Sequence, residues 1–293
     1  MQPDLSIIIL THNEEANLAQ ALDSVSGWAK RVFIVDSFSS DGTIELAKRY
    51  GCDVFQFRFE GFSQQRNRAL SELPIDTEWV LFLDADEWMP GDLKDEITQK
   101  LSQKPVEHGF FLRRRFYWMG AWVRRGYYPV WILRLFRHGR ARCEDRSVNE
   151  HMVLDGVAGF LQHDFIHQDR KPLSDWIEKH NRYAVKEARE LLRVQDQPAQ
   201  LPARFRGPQA ERVRWLRERV YNRLPPILRP FLLFGYRVIV RGGLLDGWRA
   251  VLYHFLQAFW YPLLIDVNFL EEAERSRVLP SHEHSFSSRQ FPA

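Results

Sequence analysis

The sequence predicts an α/β protein, a Rossmann-like and mostly parallel sheet flanked by helices, followed by a C-terminal helical region. Three observations carry this expectation. Short apolar runs alternate with helical patterns through the N-terminal part of the chain, polar residues crowd the ends of those runs, and an arginine- and aromatic-rich segment follows a proline-rich stretch near residue 200.

Residues 6–10 and 31–35 are strand-sized and rich in isoleucine and valine, and each is followed by helical spacing: Leu18, Leu22 and Val25 after the first, Ile44, Leu46 and Ala47 after the second. A third strand at residues 54–57, a helix around residues 64–73 and a fourth strand at residues 79–83 continue the alternation. Such repetition calls for parallel strands joined by crossover helices, and ligands then bind beyond the carboxyl ends of the strands. From residue 109 to 150 the pattern changes to short β-like pieces crowded with Arg113, Arg114, Arg115, Tyr127, Tyr128 and Trp131, which we take as the acceptor-recognition region. One helix is expected over residues 176–194 and a linker over residues 195–208. The expected organisation is a catalytic domain at 1–200, a helical arginine/aromatic region at 201–279 and a flexible tail at 280–293.

With 45% hydrophobic residues in 293, the chain can bury a large core, which excludes disorder as its overall state. Its 41 basic and 38 acidic residues leave a net charge of +3, so nothing in the overall balance asks for nucleic acid. Cys52 and Cys143 stand in neither a metal nor a redox spacing, which suits a reducing, cytoplasmic setting. Residues 2–10 lack the basic start and cleavage site of a signal peptide. The apolar stretch 250–265 is interrupted by His254, Gln257 and Pro262 and falls short of the roughly 20 residues that span a bilayer, so the expectation is contact with a membrane surface rather than a crossing.

The chemistry concentrates where strands end. Val80-Leu81-Phe82-Leu83-Asp84-Ala85-Asp86-Glu87 is an apolar run closing on two carboxylates one residue apart, a pair that can hold Mg²⁺ or Mn²⁺ whose shell is completed by diphosphate oxygens; by itself such a pair is more often a solvated turn. Asp36 ends the second strand, where a carboxylate can accept from a base N–H or a ribose hydroxyl, the alternative being a helix cap, a role better suited to Asp41. Arg66 and Asn67 lie near a helix start, where the arginine can pair with phosphate or stand in solvent.

Taken in order, Leu10-Thr11-His12-Asn13-Glu14-Glu15, the loop from Asp36 to Thr43, Gln65-Arg66-Asn67 and Asp84-Ala85-Asp86 resemble the inverting family-2 glycosyltransferases of GT-A fold. Gly126-Tyr127-Tyr128-Pro129, Arg134-Leu135-Phe136 and Val148-Asn149-Glu150 look like the branch containing lipopolysaccharide-core β-glucosyltransferases, and the likeness covers roughly residues 5–170. The resemblance implies that Thr11, His12, Asn13 and Glu14 line a nucleotide-sugar pocket, that Asp36 meets the base, and that Arg66 lies near the phosphates. It makes Asp86 the direct metal ligand and turns Asp84 more toward ribose or donor sugar. His12 stands where the wider family often carries tyrosine.

Inversion needs a carboxylate to take the acceptor proton, and the candidates are Glu150, Asp145 and Glu144. Glu150 is favoured over Asp145 from the branch resemblance, although Asn149 replaces the branch's histidine, and Glu144 is expected in a salt bridge with Arg142 or Arg146. His163, Asp164 and His167 are expected to form a structural or acceptor-side cluster. From 204 to 249 eleven arginines face three acids, interleaved with aromatics. This fits helices lying on an anionic membrane surface, with Trp248, Val251, Leu252, Phe255 and Phe259 at helical spacing; a cap on the catalytic domain or a homo-oligomer interface is the alternative. The expected activity is inverting, metal-assisted transfer of a hexose from a UDP-sugar to a lipid-linked or lipopolysaccharide-core saccharide, peripheral on the inner face of the cytoplasmic membrane. Rivals are a nucleotidyltransferase, which would show a Gly-rich, lysine-containing first loop that Thr11-His12-Asn13-Glu14 is not, a scaffold with a vestigial donor site, and a nucleic-acid binder.

Overall fold

The computed structural model describes residues 2–144, 151–193, 204–207 and 209–278. Strands β1 (Leu5–Thr11), β2 (Arg31–Asp36), β3 (Asp53–Gln56) and β4 (Trp79–Asp84) alternate with helices α1 (Glu15–Val25), α2 (Thr43–Arg49) and α3 (Phe62–Glu72). After β4 come a two-residue strand β5 (Glu87–Trp88), α4 (Gly91–Ser102), β6 (Gly109–Trp118), β7 (Ala121–Trp122), β8 (Val130–Arg137), β9 (Ala141–Cys143), β10 (Met152–Leu154) and β11 (Ala158–His167). Helices α5 (Leu173–Arg193), α6 (Gln209–Arg219), α7 (Leu228–Gly235), α8 (Trp248–His254) and α9 (Tyr261–Val278) complete the described chain.

The main sheet runs β3-β2-β1-β4-β8-β6-β11-β5, with β7 paired to β6. Its first four strands are parallel; β8 turns antiparallel between β4 and β6, and β11 lies parallel to β6. Side chains of β1 and β4 sort by twos to opposite faces. Ile7, Ile9, Leu81 and Leu83 meet Leu18, Leu22 and Val25 of α1, whereas Ile8, Val80 and Phe82 meet Ala69 and Leu73 near α3. Burial on both faces explains the nearly unbroken apolar runs of these strands.

The C-terminal helices dock onto this body. Ala184 of α5 packs with Tyr261 and Ile265 of α9, and Ala250 and Tyr253 of α8 pack with Phe116 and Val123. A π-helical turn (Phe255–Trp260) joins α8 to α9, so the helix runs on through Trp248–Arg275. The sequence reading stopped this stretch at residue 265; the helix is long and apolar enough to cross a membrane by length and composition, but 44% of its most apolar window is buried in the protein. Asp266 is one such buried position, where it takes both Nε and Nη2 of Arg229.

Candidate active site at the carboxyl edge

Register brings the predicted polar residues to one edge. Thr11 lies opposite Asp36 and Leu10 opposite Asp84 across neighbouring strands, so β1, β2 and β4 end level with one another. Asp36 is fully buried and holds its loop by accepting from Thr11 Oγ1 at 3.0 Å, from the Ser39 backbone N–H at 2.9 Å and from Gln56 Nε2 at 3.2 Å. A buried carboxylate with this many donors is fixed in place.

The first loop is tied to the second. Asn13, at φ 53°, accepts from the Ser40 N–H at 2.8 Å while its own N–H donates to Ser39 Oγ at 2.9 Å. A short amide side chain tolerates this left-handed backbone where a branched one would be strained. His12 Nδ1 lies 3.0 Å from the Ser37 carbonyl, with the ring exposed. Glu14 receives Lys171 Nζ at 2.6 Å and Asn17 Nδ2 at 2.9 Å. Burial raises the Glu14 pKa above the ordinary value, and Lys171 and Asn17 offset this only in part.

At the end of β4 the two aspartates part company. Asp84 meets Arg134 Nη1 at 3.2 Å and Nη2 at 2.5 Å, with Arg66 Nη2 at 3.5 Å. Arg134 is 7% exposed in its side chain and also reaches Glu87 Oε1 at 2.7 Å, while the Asp84 N–H donates to Glu87 Oε2 at 3.0 Å. Burial alone would raise the Asp84 pKa; Arg134 and then Arg66 hold it far below the usual carboxylate range instead. Glu87, fully buried beside two aspartates, is pushed up by burial despite Arg134. Both Asp84 oxygens are thus committed to arginine.

Asp86 faces His167. Strand β5 folds back to pair antiparallel with the end of β11, setting His167 opposite Glu87, and the Gln168 N–H donates to the Asp86 carbonyl at 2.9 Å. His167 Nε2 then stands 3.2 Å from Asp86 Oδ2, and its Nδ1 is 3.7 Å from Glu87 Oε1. Burial raises the Asp86 pKa, but His167 outweighs it and the carboxyl stays below its ordinary value. Among the described residues no group of three His, Cys, Asp or Glu forms a metal cage. Asp86 and His167 supply one carboxylate and one imidazole, a donor set that fits a divalent ion whose other positions go to phosphate oxygens and water.

Toward β6 and β8 the edge opens into a cavity of about 900 Å³ whose wall includes Arg66, Asp84, Arg114, Tyr127, Trp131 and Arg134. The aromatic-basic region read from the sequence therefore lies next to the aspartates.

A family model described as glycosyl transferase family 2 matches residues 6–167, more than half of the chain. The chain belongs to glycosyl transferase family 2. An uncharacterised glycosyltransferase of Rickettsia typhi is 40% identical to this family-2 chain over 93 residues, 32% of the chain and 31% of the relative. The glycosyltransferase SunS of Bacillus subtilis is 28% identical over 101 residues, 33% of this chain and 23% of that protein. These matches span at most about a third of the curated relatives' length. In fold, the mannosyltransferase PcManGT from Pyrobaculum calidifontis, solved with GDP-Man and Mn²⁺, superposes with a TM-score of 0.53 at 15% identity, covering 93% of this chain and 88% of that one. The family-2 chain has the GT-A fold, with a curled, mostly parallel sheet and a C-terminal helical region.

The structure brings together Thr11, His12, Asn13, Glu14, Asp36, Arg66, Asp84 and Asp86. Asp145 and Glu150 lie outside the described residues, as do residues 280–293 and most of the expected linker. Glu144 does pair, but with partners the sequence reading did not name: Arg214 Nη2 at 2.8 Å and His151 Nδ1 at 3.0 Å. The Gln-His-Asp-Phe-Ile-His cluster divides. His163 binds Glu96, Asp164 binds Arg113 and Arg115, and His167 alone reaches the aspartates. His167 and Arg134 are the residues sequence reasoning did not place in the site; the even spacing of His163 and His167 on one strand hid that their surroundings differ.

Proposed function

We propose that this chain transfers a hexose with inversion from a UDP-sugar to a lipid-linked or lipopolysaccharide-core saccharide, assisted by Mg²⁺ or Mn²⁺. The observation that carries the reading is the pairing of Asp86 with His167 on the same strand edge as buried Asp36. Asp36 and the loop from Thr11 to Glu14 would hold the nucleotide, and Arg66 its phosphates. Asp86 and His167 would hold the ion, the imidazole through the Nε2 that faces Asp86. A bound divalent ion neutralises charge on the leaving diphosphate, often the largest catalytic contribution. Arg134 keeps Asp84 ionised and oriented at the cavity mouth.

In the transfer, an acceptor hydroxyl oxygen forms the new bond to the anomeric carbon as the carbon–oxygen bond to the diphosphate breaks, and Glu150, or alternatively Asp145, receives the hydroxyl proton.

The membrane part of the reading rests on the C-terminal region. Ile239 is 76% exposed, Val240 and Leu245 72%, Trp248 64% and Leu244 62%, while Arg223, Arg241 and Arg249 are exposed nearby. A run of exposed large apolar side chains interleaved with arginines fits an anionic lipid interface. It centres on residues 236–248 rather than on the 248–259 spacing picked out from the sequence; Val251, Leu252 and Phe259 are half-buried. Incubation with UDP-glucose, UDP-galactose or UDP-N-acetylglucosamine, Mn²⁺ and core-truncated lipopolysaccharide tests the proposal. A β-linked product from one donor, with Asp86→Ala at least about 10²-fold slower, supports it; UDP release without any glycosylated product, at equal rate in the variant, overturns it.

A further inference from the structure

Among the described residues, arginines outnumber carboxylates in the lining of the cavity beside Asp84. Four guanidinium groups line it, those of Arg66, Arg114, Arg134 and Arg237, against the carboxylates of Asp84 and Glu211. Arg134 and Arg66 are turned to Asp84. Among the described residues, Arg114 donates to the Tyr127 hydroxyl and its buried Nε has no hydrogen-bond partner, and a buried Nη1 of Arg237 has none either. Buried guanidinium N–H groups are costly to leave unpaired, and their fork geometry matches the oxygens of phosphate or carboxylate.

The two arginines come from different parts of the chain. Arg114 stands on β6, whereas Arg237 belongs to the π-helical turn (Tyr236–Val240) of the C-terminal region and lines the same cavity. That turn is seated by small residues. A Cβ on Gly126 would stand 2.8 Å from the Arg237 carbonyl oxygen, and one on Gly243 would meet the same oxygen at 2.8 Å. Gly126 is therefore doubly constrained, since its φ of +78° also favours glycine.

We infer that Arg114 and Arg237 form an anion subsite that reads a phosphate or carboxylate group on the saccharide acceptor. The inference rests on the transferase reading and adds to it the chemical class of the acceptor: an anionic sugar rather than a neutral one.

Saturation-transfer NMR competition tests this on the full chain with mannose 6-phosphate, methyl glucuronide, neutral methyl mannoside and inorganic phosphate, each with and without UDP and Mn²⁺. The expected result is that the anionic sugars bind about tenfold or more tightly than the neutral one, and that Arg114→Gln and Arg237→Gln abolish the preference while leaving UDP affinity unchanged. Arg237→Lys should keep part of it, and inorganic phosphate alone should compete more weakly than the phosphosugar. Equal binding of charged and neutral sugars overturns the inference, as does a preference that survives both variants. Weaker UDP binding in the variants also overturns it, because the arginines would then serve the donor. If the wild type binds no UDP yet prefers the anionic sugars, the subsite stands and the transferase reading falls.

Discussion

Arg134 joins the chemistry of the strand edge to its stability. It is the shared partner of Asp84 and Glu87; in Arg134→Met the partly exposed Asp84 keeps Arg66 while the buried Glu87 loses its cationic partner, and we expect a loss of about 3 kcal/mol in urea unfolding. The double change with Glu87→Gln should recover part of that loss, because the stranded carboxylate is gone. His167→Ala removes the partner of Asp86 and a ring contact with Phe116, so a smaller loss of stability should accompany metal-dependent nucleotide binding weakened by about 10–100-fold. Asp36 and Asp86 were legible as single residues because each closes an apolar strand. His167 and Arg134 were not, since their contacts with Asp86 and Asp84 join positions 81 and 50 residues apart in the chain and exist only once β11 and β8 have paired.

The parallel elements were readable to within a few residues, and β1, β2 and β4 each extend one residue beyond the expected end, taking in Thr11, Asp36 and Asp84. Period and composition suffice where a strand is buried on both faces. They fail for β5, two residues long, and for β11, whose Gln162 and His163 interrupt any apolar run. The helices carry their own pH dependence. His180 of α5 stacks on Trp176 at 3.6 Å and meets Tyr261 at 5.0 Å, and burial, with Lys179 adjacent, brings its pKa down to about 4. Between about pH 6.5 and 4 the unfolded chain binds a proton there that the folded chain refuses, so stability should fall with pH through that window by up to about 1 kcal/mol per unit. Denaturation midpoints of His180→Gln should show a shallower slope over the same range and parallel the wild type above pH 7.

On the scale of the whole molecule, the C-terminal helices relate the strand edge to the exposed apolar surface. Within one turn, Arg237 lines the cavity beside Asp84 while Ile239 and Val240 are exposed, so a lipid-bound enzyme would hold its cavity close to the bilayer. The sequence showed the arginine excess but not this division of inward and outward side chains, which depends on the π-helical winding. Flotation with phosphatidylglycerol vesicles should bind the wild type in a salt-sensitive manner. The pair Ile239→Asp and Leu245→Asp should weaken that binding by about tenfold or more without altering UDP affinity; equal flotation would remove the membrane from the account. The central claim is that the loops after β1, β2 and β4 form one metal-dependent nucleotide-sugar site. Calorimetric titration of UDP, GDP and dTDP, with and without Mn²⁺, on the wild type and Asp86→Ala tests it most directly. The account predicts that UDP binds only with the metal and that the variant loses this binding; no binding of any nucleotide, or binding indifferent to both metal and Asp86, would contradict it.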